Sequence, residues 1–482
     1  MDTKEIIDED KINKILFQTS NPTKEKIIEI LKKAELKKGL NIEEVGWLIN
    51  VDVNSEEHKE LIQLIFKTAW KIKQEIYGER LVFFAPLYVS SFCVNDCDYC
   101  GFHCRNKAAR KKLTLKEVEE QVKCLVEMGH KRLLVEFGED KKECPIDYVV
   151  DVIKTIYKTK SKNGEIRRVN VNIAATSVDD YRKLKAVGIG TYQLFQETYH
   201  RKSFETYHKG PKADYERQLF AHNRAFEAGI DDLGLGVLFG LYDYKFEVLA
   251  LLSHAQYMDK VLGVGPHTIS VPRWQPAEGV EWKKAPYPVS EDELLKLIAV
   301  LRMAVPYTGM IISTRERPET RAKAFKIGIS QTSAASITSP GGYGKSGSCG
   351  KDDKAKAQAE GKNATQFNIA DHRSVNEIIK SILEQGLLPS FCTACYRQGR
   401  TGDRFMELAK EGRIHELCRP NAILTFKEYL MDYADDDVNK ELKKLGEKII
   451  EKYMNEIENA AAREETIKRL KRIEKGERDL YF

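Results

Sequence analysis

The 482-residue sequence has no apolar run that approaches the roughly 18 residues of a membrane-spanning helix, so no membrane association is expected. It lacks a recognisable leader as well. Residues 2–14 mix acidic and basic side chains, unlike the apolar core of a secretory signal or the Arg-rich, acid-poor start of a transit peptide. A cytoplasmic location is the expectation that follows. Charge of one sign is also missing: 78 Lys and Arg are interleaved with 73 Asp and Glu, which argues against a nucleic-acid partner. No GxGxxG turn follows the first strand-like segment, which counts against a doubly wound nucleotide-binding sheet. Finally, ten cysteines in a chain of this kind do not make a disulfide framework, so their spacing has to be read for metal chemistry instead.

What is present is the composition of an ordinary globular protein, 42% hydrophobic and 31% charged, in a chain too long for one compact core. Residues 1–80 read as a helical extension, with Pro22 placed at a helix start and apolar residues at helical spacing in NPTKEKIIEILKKA. From 81 to 336, short β-rich runs alternate with helical ones. The strand-like runs cover 81–89, 132–137, 167–173, 191–195, 233–239, 267–273, 309–314 and 327–333. Eight strands separated by helices predict an α/β fold, a parallel (β/α)8 barrel; an open doubly wound sheet is the alternative. Residues 337–370 contain SPGGYGKSGSCGKDDKAKAQAEGKN and read as a long mobile Gly/Lys-rich loop. Residues 371–482 read as a helical C-terminal domain without further strands, and the highly charged tail from Lys440 as solvated helix surface.

Cysteines fall into two groups, with Cys124, Cys144 and Cys349 scattered between them as small residues. Cys93, Cys97 and Cys100 form C-x3-C-x2-C on the loop after the first predicted strand. Three thiolates hold three irons of a [4Fe–4S] cubane and leave the fourth iron open to a small molecule. A zinc site completed by His103 or Cys104 is the competing reading, but the barrel mouth is where active sites form. Cys392, Cys395 and Cys418 make C-x2-C-x22-C in the C-terminal segment, again three thiolates; here zinc completed by His415 competes.

The first motif, with Tyr99 before its last cysteine, resembles that of the radical S-adenosylmethionine (SAM) superfamily. The resemblance implies that the open iron binds SAM, whose reductive cleavage yields a 5′-deoxyadenosyl radical. It implies SAM contacts at successive strand ends: Gly138 and Glu139 in VEFGED, Gln196, Glu197 and Thr198 after the fourth strand, and Gly234 and Gly236 along the adenine. In ADYERQLFAHNRA, Arg217 and Gln218 stand where the resemblance implies a partner of the SAM carboxylate, and helix register decides which of them faces in.

The segments VGPHTISVPR, STRERPETR and SFCTACYRQGRTGDRFMELAKEGRIHELCRPNA carry a closer likeness, to the HydG family of radical SAM tyrosine lyases that mature [FeFe]-hydrogenase. The ThiH tyrosine lyases of thiazole biosynthesis resemble the barrel and lack the C-terminal extension. The HydG likeness implies cleavage of the Cα–Cβ bond of L-tyrosine to p-cresol and dehydroglycine. It implies further conversion to carbon monoxide and cyanide on an additional "dangler" iron, held with cysteine at a second [4Fe–4S] cluster. Other hydrogenase maturation proteins and a reducing electron donor are the implied partners. His267 is the implied ligand of the extra iron. Because it precedes the sixth strand it belongs at the bottom of the barrel, which places the second cluster there and routes product through the interior. At the top, Arg273, Arg315 and Arg321, with the serines of SQTSAAS (330–336), are candidates for the tyrosine carboxylate. A ThiH-like 2-iminoacetate synthase and a non-enzymatic iron–sulfur carrier are the rival functions.

Overall fold

Four helices open the chain, and local chemistry sets their ends. α1 (Glu9–Gln18), α2 (Lys24–Ala34) and α3 (Ile42–Ile49) start at Asp8, Thr23 and Asn41, whose side chains accept first-turn N–H groups; Asn41 and Glu44 form a capping box. α4 (Lys59–Tyr77) ends at Gly78, with φ +63°. These helices lie against the outer helices of the next unit: α4 packs on the helix Glu291–Ala304. From that helix the buried Lys296 donates to the carbonyls of Ile49 (2.7 Å) and Val51 (2.6 Å), satisfying the frayed end of α3.

A computed structural model of the protein describes residues 2–162, 164–344, 364–434 and 439–482. Its centre is a closed parallel barrel of β1 (Arg80–Ser90), β2 (Arg132–Phe137), β3 (Arg168–Asn172), β4 (Tyr192–Gln193), β5 (Leu233–Gly236), β6 (Thr268–Ser270), β7 (Gly309–Ile312) and β8 (Gln331–Ser333). Strands neighbour one another in chain order, and β8 closes on β1 through Val82↔Gln331 to Phe84↔Ser333. All eight predicted strands are present: β1 runs one residue further at each end, β2 keeps its predicted bounds, and the other six are shorter. Among the described residues no helix is long and apolar enough to cross a membrane.

Beyond a two-stranded antiparallel pair, Lys160–Ser161 with Gly164–Glu165, one strand of the main sheet was not anticipated. β9 (Leu388–Ser390) pairs in parallel with the first residues of β1, Arg80↔Leu388 to Val82↔Ser390, below the stretch that pairs with β2. It corrects the expectation of a strandless C-terminal segment. Three residues with Pro389 in the middle carry no period-2 signal, and Pro is tolerated because the strand lies at the edge of the ladder. The C-terminal helix Ile414–Tyr433 covers β9, and the helices Lys440–Asn455 and Ala460–Glu474 pack on it. The apolar core runs without a break from Ile6 to Ile457, so both helical extensions share the core of the barrel.

Of the expected mobile loop 337–370, the described ends are packed. Tyr343 exchanges backbone hydrogen bonds with the Gln121 side chain, and its hydroxyl donates to Pro86 O at 2.8 Å. Gln366 accepts from Tyr88 at 2.7 Å. Residues 345–363, including Cys349, lie outside the described residues.

Candidate functional site

Side chains alternate along a strand, so every second residue of the barrel strands points inward. Reading upward, Val82, Arg132, Arg168, Gly309 and Gln331 line a cavity of about 540 Å³ at the N-terminal end of the barrel. Two residues further on, Phe84, Leu134, Ile311 and Ser333 line a second cavity, of about 710 Å³, that extends to the C-terminal end. Phe84, Leu134 and Ile311 form a small buried apolar cluster inside the barrel, at the floor of the upper cavity.

The upper end is built where β1 and β2 run out. Gly138 N–H donates to Ser90 O at 2.9 Å and Val94 N–H to Glu139 O at 2.8 Å, tying the cysteine loop to the end of β2. A Cβ on Gly138 would sit 2.2 Å from Phe92 O, so only glycine permits this approach. Glu139 is held between Asn95 (Nδ2 donating, 2.7 Å) and Arg217 (2.6 Å), and Asn95 also reaches Cys93 Sγ at 3.7 Å. Lys212 pairs with Glu197 at 2.8 Å, and Glu197 has the unusual φ of +68°. Burial alone would lower the Lys212 pKa, but Glu197 and Cys97 together hold it above its ordinary value. The structure thus brings Cys93, Cys97, Cys100, Glu139, Glu197 and Arg217 to one rim. Tyr99 lies beneath it, hydrogen-bonded to His208 at 2.8 Å.

Other predicted residues are placed differently. Thr198 turns away to hydrogen-bond the buried Glu247 carboxyl. A Cβ on Gly234 would meet Thr268 and Gln193 at 2.6 and 2.7 Å, and one on Gly236 would meet Phe195 at 2.4 Å, so both glycines make room for neighbouring side chains. Gln196 is buried with its Nε2 lacking a partner. Of the three arginines, Arg315 alone lines the upper cavity, lying 3.3 Å from the Phe367 ring centroid. Arg273 is taken up by the buried Glu316, and Arg321 by Asp371, Thr332 and Ser333 O, with both members of the Arg321–Asp371 pair fully buried. These two are internal ion pairs and do not reach the cavity.

Glu136 faces the same cavity from β2, beside Asn172. Burial pushes its pKa up to about 8, with Arg315 pulling the other way. The sequence reading passed over Glu136, although a carboxylate inside the apolar run RLLVEF was the available signal. It also passed over the cavity's Thr338, Gln366 and Phe367, which lay in the presumed loop.

At the lower end Cys392, Cys395 and Cys418 line the cavity together with His267, Arg80, Arg132 and Arg168. His415 bonds Gly412 O instead and does not line it. Among the described residues no three His, Cys, Asp or Glu side chains group around one point as ligands of a single metal ion do. Thiols spread around a chamber suit the separate irons of a cubane better than tetrahedral zinc. Burial raises the pKa of all three thiols, against the pull of Arg80 and its neighbours. Burial also pulls His267 down to about 4, leaving a neutral imidazole fit to ligate. The upper thiols show the same pattern: burial raises Cys93 and Cys97, and pushes Cys100 up to about 11. Both donor sets fit iron–sulfur clusters.

Comparison with known proteins agrees with this geometry. The chain matches the Radical SAM superfamily over residues 87–253 and the Biotin and Thiamin Synthesis associated domain over 270–388. It is 30% identical to the 2-iminoacetate synthase of Salmonella typhimurium (strain LT2) over 331 residues, 68% of this chain and 82% of that one. The crystal structure of HydG, a maturase of the [FeFe]-hydrogenase, is 55% identical over 99% of this chain and 100% of its own, with a TM-score of 0.92. HydG from Carboxydothermus hydrogenoformans is 37% identical over 98% of this chain and 99% of its own, with a TM-score of 0.81.

Proposed function

Because the chain belongs to the HydG family of the radical SAM superfamily, we propose that it is a lyase that cleaves L-tyrosine between Cα and Cβ, to p-cresol and dehydroglycine. Carbon monoxide and cyanide formed from dehydroglycine are then placed on an iron at the lower cavity, for assembly of a hydrogenase cofactor. The observation that carries this reading is the pair of thiol triads at opposite ends of one barrel: Cys392, Cys395 and Cys418 line the lower chamber, and Cys93 and Cys100 pack beside the cluster of Tyr88, which lines the upper one.

Cys93, Cys97 and Cys100 would hold the upper [4Fe–4S] cluster, and Cys392, Cys395 and Cys418 the lower. When bound, the upper cluster with SAM supplies a 5′-deoxyadenosyl radical as hydrogen abstractor, and the lower supplies an open iron. Glu139, Glu197 and Arg217 orient SAM from the rim. Arg315 and Glu136 match the two charges of a zwitterionic amino acid: the guanidinium takes the carboxylate and Glu136 the ammonium. Phe84, Phe195 and Pro272 supply apolar wall for an aromatic side chain. His267 and a free cysteine would complete the coordination of the extra iron, which is cargo and not a resident cofactor.

The test is anaerobic reconstitution with SAM, tyrosine and dithionite, followed by assays for p-cresol, cyanide and carbon monoxide. Formation of p-cresol without cyanide or carbon monoxide would favour a 2-iminoacetate synthase, the activity named for the Salmonella relative. Absence of SAM cleavage would favour a carrier.

A further inference from the structure

His267 and Asp232 stand one residue before β6 and β5, two adjacent strands, with His267 level with Leu233 and Asp232 one residue lower. The backbone around His267 is fixed on both sides: its N–H donates to Leu233 O at 2.8 Å, and its carbonyl accepts from Gly309 N–H at 2.8 Å. The ring is packed on Phe405, 4.4 Å between centroids. With backbone and ring face set, the remaining freedom is which nitrogen points into the lower cavity.

On the Nδ1 side of the ring stands Asp232. His267 Nδ1 is buried and has no hydrogen-bond partner, and its nearest opposite charge is Asp232 Oδ2 at 3.6 Å. Asp232 is itself clamped: Tyr396 O–H donates to the same Oδ2, and Arg168 approaches it at 3.5 Å. The Arg168 guanidinium in turn stacks on the Tyr396 ring, 2.9 Å from its centroid. Asp232, at 1% exposure, has no solvent to turn towards. Tyr396 directly follows Cys395, so this clamp is continuous with the cysteine loop.

We propose that Asp232 is the positioning residue for His267: its carboxylate takes the Nδ1–H and thereby presents Nε2 to the extra iron of the lower site. The inference rests on the reading of that site as an iron centre given above. A buried carboxylate behind a ligating histidine fixes tautomer and ring orientation and raises ligand basicity, and its loss typically weakens metal binding by about 10–100-fold. Tyr396 and Arg168 act one step further back, holding the carboxylate in place.

The experiment compares wild type, Asp232→Asn, His267→Ala and the double variant after anaerobic reconstitution with iron and sulfide. It reads iron per chain against a competing chelator and the electron paramagnetic resonance of high-spin iron. The cubane signal of the lower cluster and 5′-deoxyadenosine formation report on fold and on the upper site. Asp232→Asn should weaken retention of the extra iron by about 10–100-fold with both cubanes intact. In the His267→Ala background it should add nothing further. Should Asp232→Asn fail to fold, Tyr396→Phe removes one clamp while leaving the Asp232–Arg168 pair, and should weaken the iron in the same direction. Extra iron held as tightly in the folded variants as in wild type, while His267→Ala loses it, would overturn the proposal alone. A wild type that never binds extra iron would overturn the site assignment, and the proposal with it.

Discussion

Replacing Gly138 with Ala probes how closely the upper site is built. An added Cβ would lie 2.2 Å from Phe92 O, 2.9 Å from Phe92 C and 3.2 Å from Cys93 Cβ. The first contact is about 1 Å inside the shortest ordinary carbon–oxygen approach. Its partner is backbone, so no rotamer change relieves it. The hydrogen bonds from Gly138 to Ser90 and from Val94 to Glu139 tie the two segments together, so relief has to come from moving the cysteine loop itself. Overpacking of this kind costs about 1–3 kcal/mol, which a chain of this size tolerates. Displacing reacting groups by about 1 Å costs about 10²-fold in rate. The expected result is a folded protein with an intact lower cluster and 5′-deoxyadenosine formation reduced about 10²-fold. Gly188→Ala is the control. At φ +84° with nothing within 4 Å of its Cβ, it carries only the backbone penalty of about 1–2 kcal/mol, and SAM cleavage should be unchanged. Chromatography of 5′-deoxyadenosine with dithionite as reductant, beside iron analysis, measures both. Near wild-type cleavage by Gly138→Ala would refute the argument that the end of β2 sets the position of the cluster loop.

Cys395→Ser should leave p-cresol formation largely intact while removing the infrared bands of iron-bound carbonyl and cyanide, because the two thiol triads stand at opposite ends of the barrel; loss of p-cresol to the same degree would show the ends to be coupled. Glu136 has a folded pKa raised to about 8, so the stability its neutral form provides at low pH is lost as pH rises from the ordinary carboxylate range through about 8. If the ionised form binds the substrate ammonium, kcat/KM for tyrosine should climb over the upper part of that window, and Glu136→Gln should abolish the rising limb. Arg321→Ala should destabilise the fold by about 3–5 kcal/mol by leaving Asp371 buried beside Arg373 alone, visible as a lower denaturation midpoint, whereas Arg315→Ala should raise KM for tyrosine with little change in stability.

The barrel was legible because its signals are local. β-rich runs separated by amphipathic helices mark the eight strands, and C-x3-C-x2-C after the first strand marks the rim. His267 was placed at the lower end simply because it comes before its strand. What was not legible depends on partners distant in sequence. Arg80, Arg132 and Arg168 line the lower chamber from three strands, yet each looks like an ordinary strand-end cation in the sequence. Arg273 and Arg321 matched the chemistry of a carboxylate site as well as Arg315 did. Only the packing of Glu316 and Asp371 against them separates a salt bridge from a binding group. Asp232 carried no signal, since its meaning lies in the contact with His267 and Tyr396. β9 was missed because three residues around a proline have no period to read.

The position of β9 also sets a timetable for synthesis. The rim pairs Glu139–Arg217 and Lys212–Glu197 are present once the first half of the chain has left the ribosome, while the cysteine loop still waits for Trp274, Trp282 and Gln366 to pack against it. The lower chamber needs Arg80 joined to Leu388 and then Cys418, partners separated by some three hundred residues, and no earlier segment can stand in for them. Contacts of such long range close late, after the local units have formed. β1 therefore emerges with its lower flank unpaired and keeps it so until nearly the whole polypeptide exists. The upper end thus closes once Gln366 has emerged, and the chamber at the lower end, which needs Cys418, closes after it.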